Sequence, residues 1–426
     1  MAFRLPLAIA CAVLAASPAF SEIVDVRAGR LIDPDTGKVS TDQRIRIVDG
    51  KISTVTHWAD GAAGARVIDW SGLTVLPGLI DLHTHIADGS MQGSEPLDPF
   101  KQSEAATILK AVPAARTMLR SGFTTVRDVG VYRGLTDVAL RDAINAGEIE
   151  GPRMFVAGGY ITTPGGGGEI DGLAPDFEIP AAFRVGVVRN ADEARDRARY
   201  LLDHGADFIK LIATGAVLAI GSTPGALELS PAEMKAACDE AKLRGSYCIA
   251  HAHGAEGIKA AIFAGARTIE HASYLDAEGI ALAKRHNVWL DMDIFNGDWI
   301  EEVGTKEGWP AEYLRKNRET TDIQRRGFAA AVKAGAKLTF GTDAAVYPYG
   351  HGGRQFAYMV RYGMTPMQAI RSATAEAAKA LGKEGELGTL RAGAWGDLIA
   401  VRSDPLSDVR ALEQVEAVIK GGELVR

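Results

Sequence analysis

Apolar and polar positions alternate in short runs at both ends of the chain and give way to a longer rhythm between them. Residues 23–30, 43–48, 51–56 and 65–69 read as strands, because side chains two apart share a face and here alternate in polarity. Asp49-Gly50 and Ser71-Gly72 read as the turns that separate such strands. The far end repeats the pattern at 397–401 and 417–420 and, after Gly421-Gly422, at Leu424-Val425. Neither end is long enough for a core of its own. The two are therefore expected to join as one small β-sandwich domain, residues 22–76 with 388–426, into which everything else is inserted.

The middle repeats strand then helix. Apolar strands are expected at 79–83, 124–129, 153–158, 208–213, 247–251, 268–271, 288–293 and 337–341. Amphipathic stretches such as 191–204, 231–244, 257–264 and 312–334 separate them. Ser230-Pro231-Ala232-Glu233 carries an N-cap, a first-turn proline and a carboxylate at N3, the pattern that opens a helix. Gly205, Gly245, Gly265 and Gly335 stand where helices should stop. Eight strands each followed by a helix imply an α/β chain with a (β/α)8 TIM barrel over residues 77–387. A doubly wound open sheet is the alternative, and no G-x-G-x-x-G turn supports it.

Composition narrows the function classes. With 47% hydrophobic and 24% charged residues the chain is an ordinary globular protein. Its net charge of −7, without a dense Lys/Arg block, argues against nucleic-acid or anionic-membrane partners. Residues 1–21 have their own logic. Arg4 precedes the apolar run 5–16, and small residues Ala19 and Ser21 fit a signal-peptidase site before Glu22. The run is too short to span a membrane comfortably, and no later stretch would anchor the mature chain. A buried core helix is the other reading of this run. A periplasmic or secreted protein is the expectation. Cys11 would leave with the signal. Cys238, mid-helix, and Cys248, in the next strand, are expected too far apart to bridge, as two buried thiols.

Chemistry-bearing residues concentrate at the expected strand ends. His83 and His85 are one residue apart and so point the same way, an opening for a first-row metal. Lys210 interrupts the apolar run Phe208-Ile209-Lys210-Leu211-Ile212. His251-Ala252-His253, Glu270-His271 and Gly341-Thr342-Asp343 end the fifth, sixth and eighth strands. Each has a plain alternative: a polar strand-end histidine, a helix cap for Asp343, a buried ion pair for Lys210. Their joint occurrence at positions where a barrel puts its active site outweighs these. His57, His204 and His286 fall in loops or at helix ends and read as solvated.

The set resembles the metal-dependent amidohydrolase superfamily, which carries H-x-H after strand 1, Lys after strand 4, His after strands 5 and 6, and Asp after strand 8. The phrases Thr124-Thr125-Val126-Arg127-Asp128, Asp207-Phe208-Ile209-Lys210, His251-Ala252-His253-Gly254, Thr268-Ile269-Glu270-His271 and Gly341-Thr342-Asp343-Ala344 are similar to its imidazolonepropionase-related branch. That branch holds Xaa-Pro dipeptidases, secreted carboxypeptidases and ochratoxinase-type amidases. The resemblance implies two divalent ions, zinc being expected although cobalt or manganese suit the same ligands. His83, His85 and Asp343 would hold one, His251 and His271 the other, with Lys210 carboxylated by CO2 and bridging both. A metal-bridging hydroxide would attack, since metal-bound water loses its proton near pH ~7 rather than ~15.7. Asp343 would carry the proton to the leaving nitrogen. Either His251 or His253 could be the strand-5 ligand. The family pattern favours His251, leaving His253 either to support the ligands from behind or to meet the substrate carbonyl.

The implied enzyme is a secreted binuclear amidohydrolase cleaving the amide to a C-terminal amino acid in dipeptide-like, N-acyl-amino-acid or ochratoxin-type substrates. It would be a homo-oligomer, up to an octamer as in relatives. Around the site, Tyr160 opens the glycine-rich segment 160–169, expected as a lid or wall at the mouth. Residues 215–226 contain no Arg, Lys or Tyr, unlike relatives that bind peptide carboxylates there. Tyr347 and His351, in the loop after Asp343, are candidate substrate contacts, with Arg354 nearby. The rival enzymes are a cyclic-amide hydrolase or a single-metal deaminase using His253 with Glu256 as proton shuttle; Lys210 argues against the latter. The non-enzyme rival is a periplasmic solute-binding protein.

Overall fold

The computed structural model describes residues 22–59, 64–89, 95–170, 172–174 and 176–426; the expected signal segment 1–21, Cys11 included, lies outside them. The chain begins with β1 (Ile23–Asp33), β2 (Lys38–Val48), β3 (Lys51–His57) and β4 (Arg66–Pro77). It continues with β5 (Leu79–Thr84), β6 (Phe123–Asp128), β7 (Arg153–Val156), β8 (Tyr160–Ile161), β9 (Ile209–Ile212) and β10 (Cys248–Ala252). Then come β11 (Thr268–His271), β12 (Trp289–Asp291), β13 (Leu338–Thr339), β14 (Leu398–Val401), β15 (Ala417–Lys420) and β16 (Glu423–Leu424).

Both chain ends build one seven-stranded sheet, in the order β16-β15-β14-β4-β1-β2-β3. The Asp49-Gly50 turn forms as read, with both residues in the left-handed conformation that a tight hairpin needs. Ser71-Gly72, expected as a turn between strands, instead lies inside β4. The register of β1 against β4 shifts between Ala28 and Arg30, and a side chain at Gly29 would land 1.9 Å from the Ser71 carbonyl oxygen. The glycine lets β4 run past Ser71 to Pro77 by close backbone approach. Val24, Val26, Ile45, Ile52, Trp70, Leu398 and Ile419 pack as this sheet's own core.

The parallel strands form two sheets, β5-β6-β7 and β8-β9-β10-β11-β12-β13, with helices between successive strands except β7 and β8. The first and last strands meet through Leu82 N–H donating to Phe340 O at 2.9 Å and Asp343 N–H donating to His83 O at 2.8 Å. The strand expected at 153–158 is interrupted between β7 and β8. Buried Asp137 takes the Ala157 and Gly158 N–H groups at 3.1 and 2.8 Å, and Gly158 turns to φ +73°. Helix Pro231–Leu243 starts with the full capping box, the Ser230 hydroxyl and Glu233 carboxylate each taking the other's backbone N–H. Gly205, Gly245, Gly265 and Gly335 all take positive φ just past their helices. Among the described residues, no helix is long and apolar enough to cross a membrane.

The two thiols expected at Cys238 and Cys248 are one disulfide, with Cα atoms 5.2 Å apart. A helix climbs only ~1.5 Å per residue, so Cys238 has not travelled far from the turn at Gly245. Residues 246–247 drop the chain from the helix layer to the sheet and bring Cys248 under the inward face of that helix. The closed loop is short. Replacing both cysteines by serine should lower unfolding free energy by roughly 2–3 kcal/mol on chain-entropy grounds, read from urea unfolding under non-reducing conditions. No change in midpoint would mean the bridge constrains nothing.

Candidate active site

The floor of the site is a buried charge network. Arg127 donates to both Glu270 carboxylate oxygens at 3.0 Å, to the Thr268 hydroxyl at 3.0 Å and to the Leu82 carbonyl at 2.7 Å. Glu270 also takes the Thr268 hydroxyl and lies 3.0 Å from His83 Nδ1. Such a pair is tolerable in the interior only because nearly every donor and acceptor is matched. Beside it Asp81 accepts the His83 and Thr342 N–H groups, both at 3.1 Å, and the Thr342 hydroxyl at 2.6 Å. Burial pushes the Asp81 carboxyl up to about 7, against those hydrogen bonds. Gly341 must be glycine, since a Cβ there would stand 1.8 Å from Asp291 Oδ1 and 2.8 Å from His83 Cβ.

Above this floor the imidazoles are anchored by one nitrogen each. His85 Nδ1 is 2.9 Å from Gly130 O and 3.0 Å from the Tyr160 hydroxyl. His271 Nδ1 meets Asp293 Oδ1 at 2.9 Å, and His253 Nδ1 meets Ser273 Oγ at 2.8 Å. His251 is the exception, because its Nε2 faces Gly215 O at 3.3 Å. The ring nitrogen left over is therefore Nε2 in His83, His85, His253 and His271, and Nδ1 in His251. His83 and His85 Nε2 lie 3.4 and 3.3 Å from Asp343 Oδ1. Donor atoms of His251, His253 and His271 lie within 4.8 Å of one another, as do those of His83, His271 and Asp343.

Protonation states suit ligation. Burial, with neighbouring cationic groups, holds His83, His251 and His253 well below the usual histidine range, so these rings are neutral bases. Burial likewise lowers Lys210 to about 8, against the pull of Glu270. Against burial, the carboxylates of Asp343 and Asp293 raise His85 and His271. The neutral rings of His83, His251 and His253 with their second nitrogen fixed, together with a carboxylate, fit a first-row divalent cation. Two of the expected ligands sit where strands break: His271 has φ +65° and Asp343 φ +57°. Left-handed backbone is uncommon for such residues and occurs where the fold holds it for a purpose. Gln324 supplies part of that hold, donating to His271 O and Asp293 Oδ1, both at 3.0 Å.

Every metal-ligand candidate, His83, His85, Lys210, His251, His271 and Asp343, lines one pocket, with His253 and Tyr160. Tyr347 and His351 do not. Tyr347 is fully buried behind the wall with Phe295, Ile300 and Trp309, and Val346 takes its place at the surface of the pocket. His351 turns its ring onto Trp299, 5.9 Å away. Sequence reading missed Ser273, Asp293, Asn296 and Gln324. Asp293 was within reach, as the carboxylate at the end of the expected seventh strand. Asn296 Nδ2 joins Asp293 Oδ2 at 2.7 Å to Asp343 Oδ2 at 3.2 Å, and nothing in its sequence context marks it.

The glycine-rich segment is a wall. Gly165 N–H donates to Glu169 at 2.7 Å, Gly167 N–H to Glu228 at 2.8 Å, and Arg184 holds Glu169 at 2.5 Å. A Cβ at Gly168 would sit 2.8 Å from Ile212. The glycines here serve close packing beside Lys210's strand. Val217, Leu218, Ile300 and Val346 also line the pocket, so much of it is apolar.

The amidohydrolase family model matches residues 74–425. The chain is 30% identical over 378 residues to ochratoxinase of Aspergillus niger, covering 83% of this chain and 75% of that protein. Its structure resembles that of a Xaa-Pro dipeptidase with methionine bound in the active site, at TM-score 0.89, 36% identity and coverage of 95% and 99% of the two chains. It also resembles the A. niger ochratoxinase structure, at TM-score 0.84, 28% identity and 95% coverage of both.

The Asp293 carboxylate orients His271, so Asp293→Asn should weaken divalent-cation binding roughly 10–100-fold while leaving the fold intact. Titration of the metal-free protein against a chromophoric chelator measures it; unchanged affinity would separate His271 from cation binding.

Proposed function

The chain belongs to the amidohydrolase family and is a hydrolase of amide bonds, and from that premise we propose a binuclear metal centre at the ends of β5, β9, β10 and β11 and the turn after β13. We read the two parallel sheets as one (β/α)8 barrel and the seven-stranded sheet as its β-sandwich companion. The Leu82–Phe340 and Asp343–His83 hydrogen bonds support the barrel reading. The observation that carries the proposal is the anchoring of the rings. Each ring is fixed through one nitrogen, which leaves the other to face a pocket holding a buried lysine and an aspartate.

His83, His85 and Asp343 would hold one ion and His251 and His271 the other, with Lys210 as a carbamate between them. When bound, the ions supply a water acidic enough to attack at neutral pH and an electrophile for the scissile carbonyl oxygen. The lowered basicity of Lys210 supports carboxylation, which requires the neutral amine. Asp343 accepts the proton of the attacking water and delivers it to the leaving nitrogen, as the new C–O bond forms and the C–N bond breaks. Asn296 Nδ2 donates to its Oδ2 and holds the carboxylate in place. His253, with Nδ1 accepting from the Ser273 hydroxyl, would carry its proton on Nε2 and donate it to the carbonyl oxygen, steadying the charge that develops there.

The substrate we propose is an amide joining an apolar acyl group to a C-terminal amino acid, dipeptide-like or of the ochratoxin type. The walls support the acyl group. Among the described lining residues Lys210 is the one Lys or Arg, so a substrate carboxylate would meet neutral donors such as Asn317 and Thr321. Disulfide-bonded Cys238 and Cys248 support an oxidising compartment and hence a periplasmic or secreted protein.

A panel of N-acyl and dipeptide amides varied at the C-terminal residue, run beside metal analysis, tests this. Two ions per chain and turnover of aryl- or branched-acyl amides are expected; a single ion with deamination would favour the rival enzyme. Lys210→Ala should lose both metal and activity, with partial rescue by short carboxylic acids that mimic the carbamate. Asp343→Asn should lower kcat by roughly 10²-fold or more if it carries the proton, and full retention would end that role.

A further inference from the structure

Residues 215–226 leave the strand that carries Lys210 and return at the Thr214–Leu227 bridge. At the base of this loop Gly215 presents its carbonyl to His251. The next three residues, Ala216, Val217 and Leu218, line the pocket. The loop is closed on itself by Gly215 N–H to Ala226 O at 3.1 Å and Ala216 N–H to the Ser222 hydroxyl at 2.8 Å. Its apolar face is thus a wall of the pocket attached directly to a candidate ligand.

The tip is held by helix Ala311–Lys333, whose Asn317, Thr321 and Gln324 also line the pocket. Lys316 on that helix has 1% of its side chain exposed, which is rare for a lysine and costly without partners. Its ammonium donates to Ala219 O at 2.5 Å, one residue past the wall, and pairs with Glu312 at 2.6 Å. Glu312 in turn accepts the Gly221 N–H at 3.1 Å. The pair therefore grips the loop on both sides of its tip. A helix needs no buried ammonium for its own stability, and this one donates to the loop and pairs with Glu312, with its charge also felt by Glu228.

We propose that Lys316, with Glu312, is a positioning residue for substrate selection: it holds Ala216–Val217–Leu218 against the apolar acyl group of the amide. The inference rests on the amidase reading for the identity of the group on this wall. It goes beyond that reading in assigning acyl selectivity to a residue that touches neither substrate nor metal.

The test uses the metal-loaded full chain. Lys316→Met and Glu312→Gln are compared with the native enzyme on two amides sharing one leaving amino acid, one with an aryl acyl group and one with acetyl. Hydrogen exchange is followed through residues 215–227. Lys316→Met should raise KM for the aryl amide about tenfold and for the acetyl amide less than about twofold, with kcat for both within about threefold. Exchange through the loop should quicken about tenfold and metal content should not change. Glu312→Gln should move the aryl-to-acetyl KM ratio in the same direction by a smaller factor, and it decides the matter alone if Lys316→Met does not fold. Equal effects on the two amides, or unchanged exchange in the loop, would overturn the proposal. If the native enzyme cleaves neither amide, the amidase reading fails, while the exchange measurement still decides whether the clamp exists.

Discussion

Arg127 and Glu270 face each other between β6 and β11 with no side-chain surface exposed, directly beneath His83. Replacing such a pair by apolar side chains is often neutral or stabilising, so stability is a poor explanation for its presence. Its geometry gives a better one. Arg127 ties the carbonyl of Leu82 to the Glu270 carboxylate, and Glu270 then takes Nδ1 of His83. The ring is fixed in position and tautomer, and Nε2 is turned toward Asp343. Remove the pair and His83 has no set direction, and Gly341 and Asp343 in the turn after β13, packed against it, lose their reference.

The same logic recurs around the pocket with different partners: a carbonyl for His85, a carboxylate for His271, a hydroxyl for His253, a loop carbonyl for His251. His83, Lys210 and His251 lie within β5, β9 and β10, whereas β11 ends on His271 itself. At β11 the break is sharp enough that His271 and Ala272 both take left-handed backbone, at φ +65° and +47°. Conformations of this kind cost on the order of 1–3 kcal/mol each and persist only where surrounding contacts impose them. Gln324, reaching from a distant helix, is one of those contacts.

The alternating ends, the strand-helix rhythm and the residues that gather at the pocket were legible in sequence because they rest on local periodicity and on side-chain types with few other uses. A lysine inside an apolar strand has few explanations, and Lys210 is in the pocket. The features that escaped depend on distance. Cys238 and Cys248 meet because a helix and a strand stack, which the sequence interval does not reveal. Gly29 is needed by Ser71 forty residues away, so β4 looked shorter than it is. Tyr347 looked like a pocket residue because it follows Asp343 closely, but the turn at Ala345, with φ +126°, sends its ring behind the wall. Asn296 and Gln324 are ordinary amides until three-dimensional neighbours give them a role.

The seven-stranded sheet has a consequence for how the chain can be made. β4 is bordered on one side by β1 and on the other by β14, which lies more than three hundred residues later. During synthesis the open side of β4 has no partner until nearly the whole chain has emerged. An unpaired, largely apolar strand edge is a template for the wrong partner. The last strands to appear are therefore the ones that seal the first, and they do so only after the intervening helices and parallel strands have been produced. Pairings at such separation form slowly. Completion of the fold is thus gated by residues 398–424, and a chain cut short before them would carry every lining residue of the pocket and still present an open edge.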